Sequence, residues 1–135
     1  MANETLTACR RFRFSLWAMI VVLALAGTVG YWGFRHYAYE QALYEYEAGY
    51  AGWQAQTVTT ADVCERSLRL FRAEAAVPFA NRSAAAKANL DRVEKIRKVV
   101  YHIASIGMFG GTDSPHKSVE EIDRYYADAK RLANE

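Results

Sequence analysis

Apolar and polar residues are distributed in two different ways along this chain. Residues 15–34, SLWAMIVVLALAGTVGYWGF, run for twenty positions without one charged side chain. At 1.5 Å per residue a helix of that length crosses the hydrocarbon core of a bilayer. Beyond it the pattern becomes periodic. Tyr39, Leu43, Tyr46, Tyr50 and Trp53 recur at steps of four, three, four and three, which predicts a helix with one aromatic seam. Trp32 and His36 continue that stripe backward, and neither Pro nor a Gly/Ser linker separates it from the apolar run. One helix is therefore expected to pass without a break from the apolar segment into the rest of the chain.

Three further helices follow. Thr59-Thr60-Ala61-Asp62 opens the next one, with Thr59 as N-cap, and Cys64, Leu68, Phe71 and Ala75 fall on one face. Val77-Pro78 ends it in a turn, unless Pro78 only kinks a longer helix. From Ser83 the residues Ala86, Leu90, Val93, Ile96, Val100 and Ile103 form the clearest apolar stripe, with Asp91/Lys95 and Glu94/Lys98 as acid-first pairs four apart. Gly107 closes that helix. Ser118-Val119-Glu120-Glu121 reads as a capping box for the last helix, which Asp113 or Ser114 with Pro115 would start earlier. The expected fold class is all-α: a short basic N-terminus (1–13), a transmembrane helix (14–34) and a helical-hairpin or four-helix domain (35–135). Its helices lie at about 35–55, 60–77, 83–106 and 115–134.

Charge adds orientation. Arg10, Arg11 and Arg13 precede the apolar run, whereas Arg35 and His36 are followed by Glu40, Glu45 and Glu47. The positive-inside bias keeps the N-terminus cytoplasmic and places the domain outside, in a bacterial setting the periplasm. Trp17 near one end of the run, and Tyr31, Trp32, Phe34 and Tyr37 at the other, suit an interfacial aromatic belt in contact with the lipid bilayer. A cleaved signal peptide competes with this reading, since Ala24-Leu25-Ala26 has the small-x-small form of a cleavage site. The continuation of the apolar run through Phe34 favours an anchor.

The seam at His36, Tyr39, Leu43, Tyr46, Tyr50 and Trp53 has three readings: internal packing, a surface for another subunit, or a ligand pocket. Internal packing is preferred for its middle, and partner contacts for Trp53, Tyr39 and His36.

Composition excludes more than it assigns. From His36 onward 13 Lys/Arg stand against 14 Asp/Glu, so the domain lacks the basic face that nucleic-acid binding requires, although 66–98 is locally basic. The two cysteines fall on opposite sides of the apolar run, so they form no disulfide framework. Cys64 reads as a small buried residue or as an intermolecular thiol. Leu6-Thr7-Ala8-Cys9 precedes the apolar segment and so is no lipoprotein box. Asn81-Arg82-Ser83 has the form of a glycosylation sequon, taken as chance. His36, His102 and His116 have no metal-ligand spacing, with His116 and Asp113 the nearest approach, and no phosphate, haem or dinucleotide motif is present. No cofactor, no metal and no catalytic activity are expected.

The halves also rhyme: each reads helix, glycine (Gly49, Gly107), loop and capped helix. Shared helix grammar and duplication explain this equally well. Tyr46-Glu47-Ala48-Gly49, with Thr57-Val58-Thr59-Thr60-Ala61-Asp62-Val63, resembles the helical-hairpin repeats of the TolC-like outer-membrane efflux family over about residues 39–77. The resemblance implies a long-helix hairpin in the cell envelope. This chain lacks that family's barrel strands, and no channel function follows. The function expected is that of a non-catalytic single-pass membrane protein, an accessory, assembly or tethering subunit of a larger membrane complex. It would bind other subunits or itself through helices. A membrane-anchored sensor or small-ligand module is the alternative.

Overall fold

The structure, a computed structural model, describes the backbone of residues 2–106 and 115–135 and the side chains of 16–106 and 117–135. The side chains of Arg10, Arg11, Arg13 and Cys9, the loop after Ile106 and the Asp113/His116 pair lie outside the described residues. Among those described the chain is all-helical: α1 (Ala2–Gln54), α2 (Thr60–Ala76), α3 (Arg82–Ile106) and α4 (Pro115–Asn134). It divides into two compact units, Met1–Phe34 and Arg35–Glu135.

The first unit is a single stretch of α1. Leu16, Trp17, Ile20, Leu23, Leu25 and Val29 are exposed, and α1 is the one described helix long and apolar enough, by length and composition, to cross a membrane.

The second unit is a helical bundle, comprising residues 35–54 of α1 with α2, α3 and α4. Its main core joins Val63 and Cys64 of α2, Val93, Ile96 and Val100 of α3, and Ile122 and Ala129 of α4. Tyr46, Tyr50 and Trp53 of α1 close over it. The α3 stripe is buried at Ala86, Val93, Ile96 and Val100, while Leu90 and Ile103 at its margin are half-buried. A second cluster lies toward the end of α2: Phe71, Ala85 and Ala86, packed by Leu68, Ala75, Leu132 and Ala133. The C-terminal turn of α4 thus seals the bundle at the end where α2 stops and α3 starts.

Helix ends account for much of the chain's course. Thr59 caps α2, its hydroxyl accepting from the Asp62 main-chain N–H (3.2 Å). The α1 terminus closes by a Schellman pattern in which Thr57 N–H donates to the Gly52 carbonyl (2.8 Å) and Gln56 N–H to that of Trp53 (3.0 Å). Gln56 takes the left-handed position at φ 60°. Asn81 caps α3, its side-chain oxygen accepting from Ala84 N–H (3.2 Å), which gives the Asn-Arg-Ser triplet a structural purpose. Pro78 stands in the turn between α2 and α3 and kinks neither helix.

Two local readings are corrected. Gly49 does not mark a helix end; it lies inside α1 and is buried, because Arg66 of α2 crosses the α1 backbone there. A Cβ at Gly49 would stand 2.9 Å from Arg66 Nε. Ser118 is not an N-cap, because α4 already begins at Pro115; it is instead buried on the inner face of the helix.

Candidate functional site

The aromatic seam of α1 is built by helical spacing and held by the bundle. Tyr46 and Tyr50 stack with ring centroids 6.1 Å apart, and Tyr50 and Trp53 at 5.7 Å, both tilted pairs. Such pairs add about 0.5–1.5 kcal/mol each beyond their burial. Trp53 Nε1 donates to Thr60 Oγ1 (3.2 Å), and Arg66 Nη1 donates to the Glu45 carbonyl (2.9 Å), so the Trp53 end and the middle of the seam are tied to α2. Burial pushes the Tyr46 phenol up, against an opposing pull from Arg92, whose guanidinium lies 5.7 Å over the ring. Leu43 and Tyr39 are half-buried, and His36 is exposed.

Beneath the seam is a polar relay. Arg92 Nη1 and Nη2 donate to the two carboxylate oxygens of Glu74 (3.0 and 2.9 Å), and Arg92 Nε donates to Ser67 Oγ (3.2 Å). Ser67 in turn donates to Asn89 Oδ1 (2.9 Å). Ser67 and Asn89 are buried, and the Arg92 and Glu74 side chains nearly so. The fork-on-fork geometry fixes α3 against α2 in register, and the same guanidinium faces Tyr46 of α1. Sequence reasoning missed these four residues. Each is polar in a helix rich in polar residues, and only their coincidence on the inner faces of α2 and α3 sets them apart.

A second polar cluster joins α3 to α4 near the surface. Arg97 Nε donates to Asp123 Oδ1 (2.8 Å) and Tyr101 OH to Asp123 Oδ2 (2.6 Å). The Arg97 guanidinium lies 5.0 and 4.5 Å from the Tyr101 and Tyr126 ring centroids. The Tyr101 hydroxyl, and then Arg97, hold the Asp123 carboxyl below its usual range. Cys64 is buried, its thiol pushed up to about 12 by burial and, in lesser part, by Glu121. A neutral, enclosed thiol packs as a small apolar residue.

The outward side of α1 is different. Tyr37 and Tyr44 are 65 % and 73 % exposed, and Gln41, Ala48 and Ala51 are exposed with them. At spacings of four, three, four and three these five form a second stripe, opposite the packed seam. Sequence reasoning set Tyr44 apart from the seam but missed the stripe it belongs to, although the same periodicity carries it. Trp17, Tyr31, Trp32 and Phe34 are exposed in the first unit. Among the described residues no group of three His, Cys, Asp or Glu side chains is arranged to hold a metal ion.

Comparison with protein-family models, with curated proteins and with solved structures finds no match to this chain.

Proposed function

We propose that this protein is a non-catalytic, single-pass membrane subunit that tethers a helical bundle to the membrane and presents it to other subunits of a complex. The observation that carries the reading is that α1 holds both the exposed apolar run and, further along, two opposite stripes. One of these is consumed by the bundle and the other is left open. An apolar helix that its own chain does not cover needs lipid or protein around it. The inward stripe, Tyr46, Tyr50 and Trp53, fixes the bundle to that helix. The outward stripe, from Tyr37 to Ala51, carries aromatic and small side chains of the kind that helix partners bury.

Glu40 and Glu47 flank the outward stripe on one side and Glu45 on the other. A parallel second copy would bring these acids toward one another, whereas a partner helix with Lys or Arg beside its apolar seam complements them. The proposed partner is therefore a helix of a different membrane subunit. Trp17, with Tyr31, Trp32, Phe34 and Tyr37, supplies the interfacial belt, and Arg10, Arg11 and Arg13 keep the N-terminus inside.

The test is extraction in mild detergent with Tyr44→Glu. The variant is expected to retain the bundle's thermal stability and to lose co-purifying membrane subunits by about thirtyfold, the roughly 2 kcal/mol of an interface hot spot. Arg69→Glu, on the surface of α2, should lose none. If wild-type protein purifies alone, or if both variants keep identical partners, the reading is wrong.

A further inference from the structure

Arg92 and Arg97 of α3 each reach a carboxylate on a neighbouring helix, but they use it differently. Arg92 engages every nitrogen of its guanidinium: Nη1 and Nη2 on Glu74 and Nε on Ser67. Arg97 engages only Nε, which donates to Asp123 Oδ1 (2.8 Å). The other carboxylate oxygen, which would complete a two-pronged pairing, is taken by the Tyr101 hydroxyl (2.6 Å). The terminal amino groups of Arg97 therefore donate to nothing among the described residues.

That unused edge is nevertheless held in place. The guanidinium lies 4.5 Å from the Tyr126 ring centroid and 5.0 Å from that of Tyr101, and Asp123 fixes it from the Nε side. It also reaches solvent: the Arg97 side chain is 35 % exposed against 15 % for that of Arg92, and Tyr101 is exposed beside it. The acids nearest to it are occupied, Asp123 on both oxygens and Glu94 by Lys98 (2.9 Å). Lys130, one turn beyond Tyr126, and Glu120, one turn before Asp123, are exposed. On this face Arg97, Lys98 and Lys130 balance Glu94, Glu120 and Asp123, which suits one added carboxylate and not a phosphate carrying two charges.

We propose that the terminal amino groups of Arg97, framed by Tyr101 and Tyr126, take the side-chain carboxylate of an Asp or Glu on a partner subunit. This is a docking point between α3 and α4, separate from the outward stripe of α1, and it rests on the reading of the protein as a subunit of a membrane complex. A carboxylate presents two oxygens that match the two amino groups of a guanidinium. Tyrosine and arginine are enriched among the side chains that carry interface energy, and a donor already held in position gives up little freedom on binding. Tyr101 is what keeps the site open, because its hydroxyl stops Asp123 from closing on a terminal amino group.

The full chain is extracted from membranes in mild detergent, and thermal unfolding and stoichiometric co-purifying subunits are measured on the same sample. Tyr101→Phe should unfold close to the wild-type temperature yet retain those subunits about tenfold less well, because Asp123 then closes on Arg97. A cluster that only staples α3 to α4 would leave the subunits in place, and that result overturns the proposal. Arg97→Lys supplies a second reading, which decides the matter if Tyr101→Phe unfolds early. It keeps the charge but presents an amine, which a zero-length carbodiimide, applied to intact membranes, joins to the carboxylate touching it. Mass spectrometry should find position 97 joined to an Asp or Glu of a co-purifying subunit. Joining to acids of its own chain alone, to a second copy, or to nothing overturns the proposal. Wild-type protein that purifies alone overturns the membrane-complex reading as well, whereas subunits lost with Tyr44→Glu but kept with Tyr101→Phe overturn this inference alone.

Discussion

Val100→Asp is expected to unfold the bundle. Val100 is 1 % exposed, and the buried residues of its core, Val63, Cys64, Val93, Ile96, Ile122 and Ala129, offer no counter-charge to a carboxylate. Placing an ionised or newly protonated acid there costs several kcal/mol, a large share of the roughly 5–15 kcal/mol that holds a domain folded. Lys95→Ala, on the exposed side of the same helix, should change stability by about 0.5 kcal/mol or less. Denaturant unfolding of the full chain in detergent, followed by near-ultraviolet circular dichroism, measures both. Equal effects would mean that the α3 stripe does not face the core.

The next largest effect should come from the polar relay. Glu74→Ala leaves the Arg92 guanidinium largely buried without its counter-charge, with Ser67 and the Tyr46 ring beside it, and should destabilise by about 3 kcal/mol, the range for breaking a buried ion pair from one side. Removing both charges together, as Glu74→Met with Arg92→Leu, should restore most of that loss, because an apolar pair of similar volume is often neutral. The same unfolding measurement on the two single variants and the double variant gives the coupling. A loss below about 0.5 kcal/mol for Glu74→Ala would show that the pair is solvated and holds nothing in register.

The polar relay shares α2 and α3 with the apolar core, yet one was far more legible in the sequence than the other. Ala86, Val93, Ile96 and Val100 declare their face through period alone, because burial selects for apolar residues at 3.6 spacing. Thr59 announced its helix through capping chemistry, and Tyr44 was separated from Tyr46 by angle alone. Glu74, Ser67, Asn89 and Arg92 were hidden because a buried polar residue differs from a solvated one only in its partners, which come from another helix. Asn81 was read only as part of a turn, its sequon being taken as chance, and its capping of α3 went unread. Gly49 was paired with Gly107 as a helix-end glycine in the comparison of the two halves, but its close neighbour is Arg66, seventeen positions away. Ser118 carried a capping pattern that the earlier start at Pro115 made redundant. Phe79 was passed over inside a recognised turn, since neither its left-handed backbone nor its exposure is written in its identity. Local grammar is thus readable one residue at a time, whereas long-range polar pairing and backbone strain are not.

The account's central claim is that residues 16–34 anchor the chain in a membrane with the bundle on the far side from Arg10, Arg11 and Arg13. A reporter enzyme that matures only outside the cytoplasm, fused after Glu135, tests it most directly, with the mass of the anchored product read in the same cells. The account predicts an active reporter on a full-length chain held in the membrane fraction. A reporter active only when its cytoplasmic counterpart is fused there would contradict it, as would a product shortened by about the first 26 residues, the mark of a cleaved signal peptide.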